Sequence, residues 1–342
     1  MKKLFLLMAV LLLAGALVAF AGGQGEAEEG EAAEEEEEAE SYVFRLAETH
    51  AEDYPTTQGN YRFAQLVEER TDGRIQIEVY PDSQLGEESD VIEQVQFGGI
   101  DMTRVSISPV SSFVPELDAF QMPFLYEDPD HMWEVLLGEI GEEMFDKLED
   151  SNFVGLTWYE AGARSFYTTE KVEAVEDLEG LNIRVQEAPL MMDMVELLDA
   201  VPTPMPFGEV YSGLQTGVID GAENNWPSYY STSHYEVAPY YIENRHTMVP
   251  EITIMNKEIF DELSEEDQEI IKQAAWDSID YQREQWAAFV EESKEAVLDA
   301  GVEVTEPSSE VLSEMQERMQ PLYDEQPEEV QDMIERIRAV RD

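Results

Sequence analysis

Hydrophobic positions change period repeatedly along the chain, and each change marks an element. Residues 42–47 form a short run of strand character closed by Glu48, Thr49 and His50, and after Pro55 the apolar positions Phe63, Leu66 and Val67 recur at helical spacing. The turn Thr71-Asp72-Gly73 leads into Ile75, Ile77 and Val79, which alternate with Gln76 and Glu78 as in a half-buried strand. The order is therefore β-α-β. A helix with Val91, Ile92 and Val95 inward ends at Gly98-Gly99, strands are expected over 101–105 and 153–158, and one amphipathic helix over 133–148. Residues 109–124, rich in Pro, Phe and Met, read as a loop that packs.

Residues 181–226 carry the same alternation with more polar punctuation. A short strand over 181–185 holds Arg184, a helix follows with Met192, Val195 and Leu198 on one face, and a second helix with Val210 and Leu214 stops at Gly217. The pair Asn224 and Asn225 comes after a Gly-flanked turn. Residues 250–255 read as a strand returning to the first lobe. Beyond it, Ser264-Glu265-Glu266-Asp267 opens as a capping box, and an apolar pattern through Ile270, Ile271, Ala274 and Ile279 runs on to Leu298 before Gly301. A helix of about 35 residues spans roughly 50 Å, so it either breaks or lies across two lobes. Alternating strands and helices predict an α/β fold with a cleft where the loops converge.

Length and composition agree with two lobes, since 342 residues, 43% of them hydrophobic, can fill two cores. Without Cys, disulfides, thiolate nucleophiles and zinc-thiolate centres are excluded. Charge changes the picture most. Of the formal net charge of -57, residues 41–342 carry -49, so the acidity belongs to the folded part. Such a surface repels nucleic-acid phosphates and anionic lipid, which removes both as expected partners. At the other extreme of the chain, Lys2 and Lys3 precede an apolar run over 4–20 and the pattern Ala19-Phe20-Ala21, an export signal cleaved after Ala21 into the periplasm. Residues 22–41 form an acidic linker with almost nothing to bury.

The motifs of common catalysts are missing: there is no G-x-S-x-G elbow, P-loop, H-E-x-x-H or strand-borne G-x-G-x-x-G. His50, His131, His234 and His246 show no metal-ligand spacing, and among 77 acidic residues carboxylate pairs are unavoidable and uninformative. No enzyme, metal or cofactor is expected. Arg164, beside a small-residue turn at a strand end, faces either a cleft or a surface ion pair.

Ordered matches at Gln84-Leu85-Gly86, Gly162-Ala163-Arg164, Leu181-Asn182-Ile183-Arg184-Val185, Thr203-Pro204-Met205, and through 207–211 and 220–225 give the chain a family likeness. It resembles the extracytoplasmic solute receptors of tripartite ATP-independent periplasmic (TRAP) transporters. That resemblance implies two lobes closing on a ligand by a hinge, spanned by a long helix. Lobe one would take residues 42–161 and 250–289, and lobe two 162–249 and 290–342. It also implies that a ligand carboxylate is clamped by Arg184 and Arg164, with Asn224 and the aromatic Phe207 beside them. Residues 223–229 with Arg184-Val185-Gln186 look like the receptors for hexuronates such as glucuronate and galacturonate. Glu48, His50, Glu88, Gln186, Asn224 and Asn225 are the candidate hydroxyl partners. A C4-dicarboxylate or other organic acid is the alternative ligand, and the small and large membrane subunits of the transporter are the implied partners of a monomer.

The acidity carries its own prediction. Self-repulsion destabilises a compact anionic chain, and salt relieves it as the Debye length falls to about 3 Å at 1 M. The melting temperature is expected to rise from low to molar salt; a flat or falling series would contradict a salt-adapted surface.

Overall fold

The computed structural model describes residues 40–341, so the expected signal peptide and nearly all of the acidic linker lie outside the described residues. Eleven strands are found there: β1 (Tyr42–Glu48), β2 (Ile75–Tyr80), β3 (Met102–Ser106), β4 (Phe153–Tyr159), β5 (Ala163–Thr168), β6 (Asn182–Val185), β7 (Val201–Pro204), β8 (Gly221–Asn224), β9 (Tyr240–Met248), β10 (Glu251–Asn256) and β11 (Glu303–Thr305). They form two sheets, ordered β2-β1-β3-β10-β4 and β11-β9-β5-β8-β6-β7. β1 runs parallel to β2 and β3 because the helices Pro55–Arg70 and Glu88–Gln96 bring the chain back across the sheet. β3, β4 and β10 are buried along their whole length. In a strand covered on both faces a charged residue needs a built partner, and Arg104 of β3 is such a residue.

The chain crosses between the sheets directly from β4 to β5 through Glu160–Gly162 and from β9 to β10 through Val249–Pro250, and a third time from β10 to β11 through the helical segment between them. Each sheet is the centre of one lobe. The long helical segment joins them: Ile279–Asp299 packs on Pro55–Arg70 of the first lobe and on the helix Trp226–Ser231 of the second. It breaks once, at Ser278, separating it from Glu265–Asp277. The Ser278 hydroxyl bonds the Ala275 carbonyl at 2.6 Å and meets the Tyr159 hydroxyl at 2.7 Å, which ties the break to the end of β4. The Gln282 amide then accepts from Glu160 N–H and donates to Glu160 C=O, both at 2.9 Å, clamping the first crossing to the helix.

Several expectations need correction. The helix expected over 133–148 is two, Pro129–Leu136 and Glu139–Glu149, because Gly138 interrupts the run while Asp128 caps the first piece. Residues 109–124 contain helical turns at Ile107–Val110 and Pro115–Phe120. In the helix Pro189–Glu196 the buried face is Leu190, Met191, Met194 and Val195, and Met192 is only partly covered. The stretches read as turns at 162–164 and 220–225 enter the strands β5 and β8, and β7 was missed because its two prolines are tolerable only at an edge, where it lies. The last helix, Glu328–Arg338, packs on Pro115–Phe120 and Glu139–Glu149.

Gly162 sits at the first crossing with φ +60°, and a Cβ there would lie 3.1 Å from the Trp286 ring. Gly162→Ala is therefore expected to lower stability by about 1–2 kcal/mol through backbone strain and crowding. Urea unfolding of the variant against the wild type measures it.

Candidate functional site

Both sheets present their polar residues to one cleft between the lobes, lined by Thr49, His50, Glu88, Ser106, Arg164, Arg184, Gln186, Phe207, Asn224, Asn225, Ser228 and Glu251. The lobes touch across it. Tyr54 of the first meets Ser228 of the second hydroxyl to hydroxyl at 2.9 Å, and Ser89 donates to Glu187 at 2.9 Å. A wider groove lies between the helix Ile279–Asp299 and the strand crossings, and among its charged groups Glu243 pairs with Arg245 and Lys294. Convergent polar groups, rather than size, single out the cleft.

The second-lobe wall is built by β5, β6 and β8. Arg164 of β5 is locked: Nε and Nη2 bond the Glu223 carboxylate at 2.5 and 2.7 Å, Nη2 also bonds the Glu223 carbonyl at 2.8 Å, and Nη1 bonds Asn224 Oδ1 at 3.1 Å. Burial opposes charge on Glu223, yet Arg164 and His246 hold its carboxyl down to about 2. Burial opposes charge on Arg164 too, and Glu223 more than offsets it. Arg184 of β6 is equally buried but differently partnered. Its Nε and Nη2 share one acceptor, the Met205 carbonyl, at 2.9 and 2.8 Å, and among the described residues Nη1 bonds none. Burial lowers its pKa, with no direct carboxylate partner to restore it. Gln186, two residues on, keeps a buried Oε1 without a partner among the described residues. An anion is therefore better served by Arg184 than by Arg164.

The first-lobe wall is built around Arg104. Its Nε donates to Glu48 at 2.8 Å, Nη2 to the other Glu48 oxygen, and Nη1 to Glu251 at 2.7 Å with Glu88 at 3.5 Å. Nη2 also reaches His50 Nδ1 at 2.6 Å. The same Nδ1 lies 3.2 Å from Glu48 Oε1, so it accepts from the guanidinium in one tautomer and donates to the carboxylate in the other. Burial pushes His50 down to about 4, so the ring is neutral. It stacks on Tyr54 at 3.9 Å and lies 5.1 Å from the Phe207 ring across the cleft. Glu88 opens its helix and accepts from Ser106 N–H at 3.0 Å, but burial and then the charge of Glu251 push its carboxyl up to about 8.

Eight of the nine residues singled out in the sequence line the cleft: Arg184, Arg164, Asn224, Asn225, Phe207, His50, Glu88 and Gln186. Glu48 does not. Its oxygens are taken by Arg104, Asn60 at 2.8 Å and the His50 N–H at 2.9 Å, so it orients the wall from behind. Asn225 lines the cleft while its Oδ1 caps the helix Trp226–Ser231 through Ser228 N–H at 2.8 Å. Arg104, Ser106, Thr49, Ser228 and Glu251 were missed. The available signal was a charged residue inside an apolar strand: Arg104 between Thr103 and Val105, and Glu251 opening β10.

Two α/β lobes joined by crossing strands, closed on a cleft with cationic and anionic walls, define a solute-binding protein. The chain belongs to the bacterial extracellular solute-binding proteins of family 7 (DctP), the receptors of TRAP transport, whose sequence profile matches residues 46–329. A solute-binding protein of Chromohalobacter salexigens is 42% identical over 277 residues, covering 81% of this chain and 82% of that one. Among solved structures, a TRAP periplasmic solute-binding protein of Bradyrhizobium sp. in complex with α/β-D-galacturonate superposes with a TM-score of 0.85 at 40% identity, covering 87% of this chain and 99% of that one. Another, from Chromohalobacter salexigens with bound D-glucuronate, gives 0.84 at 39% identity over 87% of this chain and all of that one, 100%.

Glu88 supplies a pH test. The folded state keeps a proton that the unfolded chain releases near 4.5, so its stabilising effect is complete below that value and is lost as pH rises to about 8. His50 and His234, both pushed down, act in the opposite sense below 6.5 and cancel in a comparison of variants. Glu88→Gln is expected to gain stability relative to wild type steadily from about pH 4.5 to 8 and to level off above. Urea midpoints across that range check the sign.

Proposed function

We propose that this receptor captures a hexuronate, glucuronate or galacturonate, and that the residues of the two walls divide the work between carboxylate and hydroxyls. The supporting observation is the state of the second-lobe wall: Arg184 has uncommitted N–H groups and Gln186 an uncommitted buried acceptor, side by side in one closed cleft. The ligand carboxylate goes to Arg184, assisted by the remaining N–H of Arg164. Ring hydroxyls meet Gln186 Oε1, Asn224, Asn225, the His50 imidazole, and the carboxyls of Glu88 and Glu251, while Phe207 covers the ring. The uronates bound by the two structural relatives support the same reading. A C4-dicarboxylate fits less well, because a second carboxylate needs a cation at the far wall and Arg104 is already committed to carboxylates there.

In this reading the protein is a receptor and not an enzyme. It works as a monomer in the periplasm after removal of residues 1–21, and delivers its ligand to the small and large membrane subunits. The lobes divide at the two direct crossings, with residues 42–161 and 250–289 in the first and 162–249 with most of the remainder in the second. The helix Glu328–Arg338 leans back on the first lobe.

Isothermal titration and thermal shift with uronates, aldonates and C4-dicarboxylates test the ligand class. Uronates are expected to bind and raise the melting temperature; a dicarboxylate that does so while uronates do not would reverse the assignment. Arg184→Ala removes charge-assisted bonds of about 1.5–3 kcal/mol each and is expected to weaken uronate binding by about 100-fold or more. The apo melting temperature should stay near the wild-type value, and unchanged affinity would remove Arg184 from the clamp.

A further inference from the structure

The carboxylate clamp leaves one feature of the first-lobe wall unused. Glu88 and Glu251 converge on the same nitrogen, Nη1 of Arg104, at 3.5 and 2.7 Å, so their carboxylates lie no further apart than those distances combined. Glu251 is the β10 partner of Ser106, whose N–H donates to Glu88 at 3.0 Å. The rest of Arg104 is held by Glu48, which makes one guanidinium the only direct cationic partner of three carboxylates among the described residues. His50 beside them is neutral. Both Glu88 and Glu251 line the cleft shared with Arg164 and Arg184, whose charges act on Glu88 from the second lobe.

We propose that Glu88 and Glu251 work as one carboxylate pair that makes the cleft selective for sugar acids with a single carboxylate over the corresponding sugar diacids. The inference rests on the uronate reading. A ligand with its carboxylate on Arg184 presents its other end to this pair. A hydroxyl there donates to a carboxyl oxygen, whereas a second carboxylate meets like charge with no cation left to receive it. Glu88 keeps a proton near neutral pH, since burial and Glu251 raise it to about 8. The wall then holds one net negative charge, and two once Glu88 ionises. Glu88 owes its proton first to burial and then to Glu251, so replacing Glu88 near neutral pH leaves the charge of Glu251 in place, and the double replacement removes both carboxyls from the wall.

Titration calorimetry with galacturonate, galactonate and galactarate on wild type, Glu88→Gln, Glu251→Gln and the double variant tests the pair. Galactonate and galactarate are open chains differing at one end, a CH2OH against a carboxylate, so shape is held nearly constant. Wild type is expected to bind galactarate at least about tenfold more weakly than galactonate, and the double variant to gain at least about tenfold in galactarate affinity. Near neutral pH Glu88→Gln alone should keep the galactarate-to-galactonate affinity ratio within about threefold of wild type, because Glu251 keeps its charge. A cooperative urea transition reports that a variant is folded. A wild type that takes both open-chain acids equally, or a folded double variant that gains nothing for galactarate relative to galactonate, overturns the proposal. A wild type that binds no sugar acid overturns the uronate reading instead. A second measurement does not need the double variant: from about pH 7 to 9 galactarate binding relative to galactonate should weaken in wild type and stay constant in Glu88→Gln. The same pH response in both proteins would also refute the pair.

Discussion

One buried guanidinium, Arg104, sets the first-lobe wall. It sits in β3 between β1, which ends on Glu48, and β10, which begins on Glu251, so the three central strands of the sheet each contribute to one ion network. Taking ions out of water costs several kcal/mol each and is offset only by good geometry and further hydrogen bonds. Glu48 meets that condition through Asn60 and the His50 N–H as well as Arg104. The network also constrains register. A one-residue slip of β10 would turn Glu251 to the other face and strand Arg104 beside an apolar side chain. The wall of the cleft and the order of the sheet are thus settled by the same contacts.

The second lobe uses the same material differently. Arg164 and Arg184 are both buried, and both lie at the cleft. What separates them is their partners: Glu223 and Asn224 take up most of Arg164, whereas Arg184 is steadied by the backbone carbonyl of Met205 alone. A guanidinium fixed by a neutral carbonyl keeps its charge available, and its desolvation remains to be offset by an anion. Arg164 acts as a strut that places Asn224, and in the proposed function Arg184 is the anchor.

The residues that could be read from the sequence are those whose neighbours announce a boundary. β1, the helix after Pro55 and β2 follow from alternation and a Gly turn, and Arg184, Arg164, Asn224 and Phe207 came with family motifs. Short strands escaped where Pro or Gly dilutes the pattern, as in Val201–Pro204 and Gly221–Asn224, since their pairing is supplied by neighbouring strands and not by local preference. The break at Ser278 leaves no mark in periodicity, because the apolar face continues on both sides while Tyr159 fixes the hydroxyl. Arg104 and Glu251 are 147 residues apart, and only the sheet brings them together. Glu48 was expected to meet a ligand hydroxyl, yet its oxygens are taken by Arg104, Asn60 and the His50 N–H behind the wall.

A protein of net charge -57 that binds an anion resolves the conflict by distance. Surface carboxylates act through solvent and are screened beyond about 8–10 Å at ordinary ionic strength, while Arg184 acts at contact in a closed cleft. Inside, the acidity is not excluded but sorted: Glu223 is spent on Arg164, Glu48 and Glu251 on Arg104, and Glu88 stays protonated near neutrality. The remaining imbalance points one way across the cleft, positive at Arg184 and negative on the side of Glu251, with Glu88 neutral beside it. A solute with one anionic end and one hydroxyl-bearing end has a single favourable orientation in that field. Closure then brings the two walls together around it, with each end of the solute against the wall that complements it.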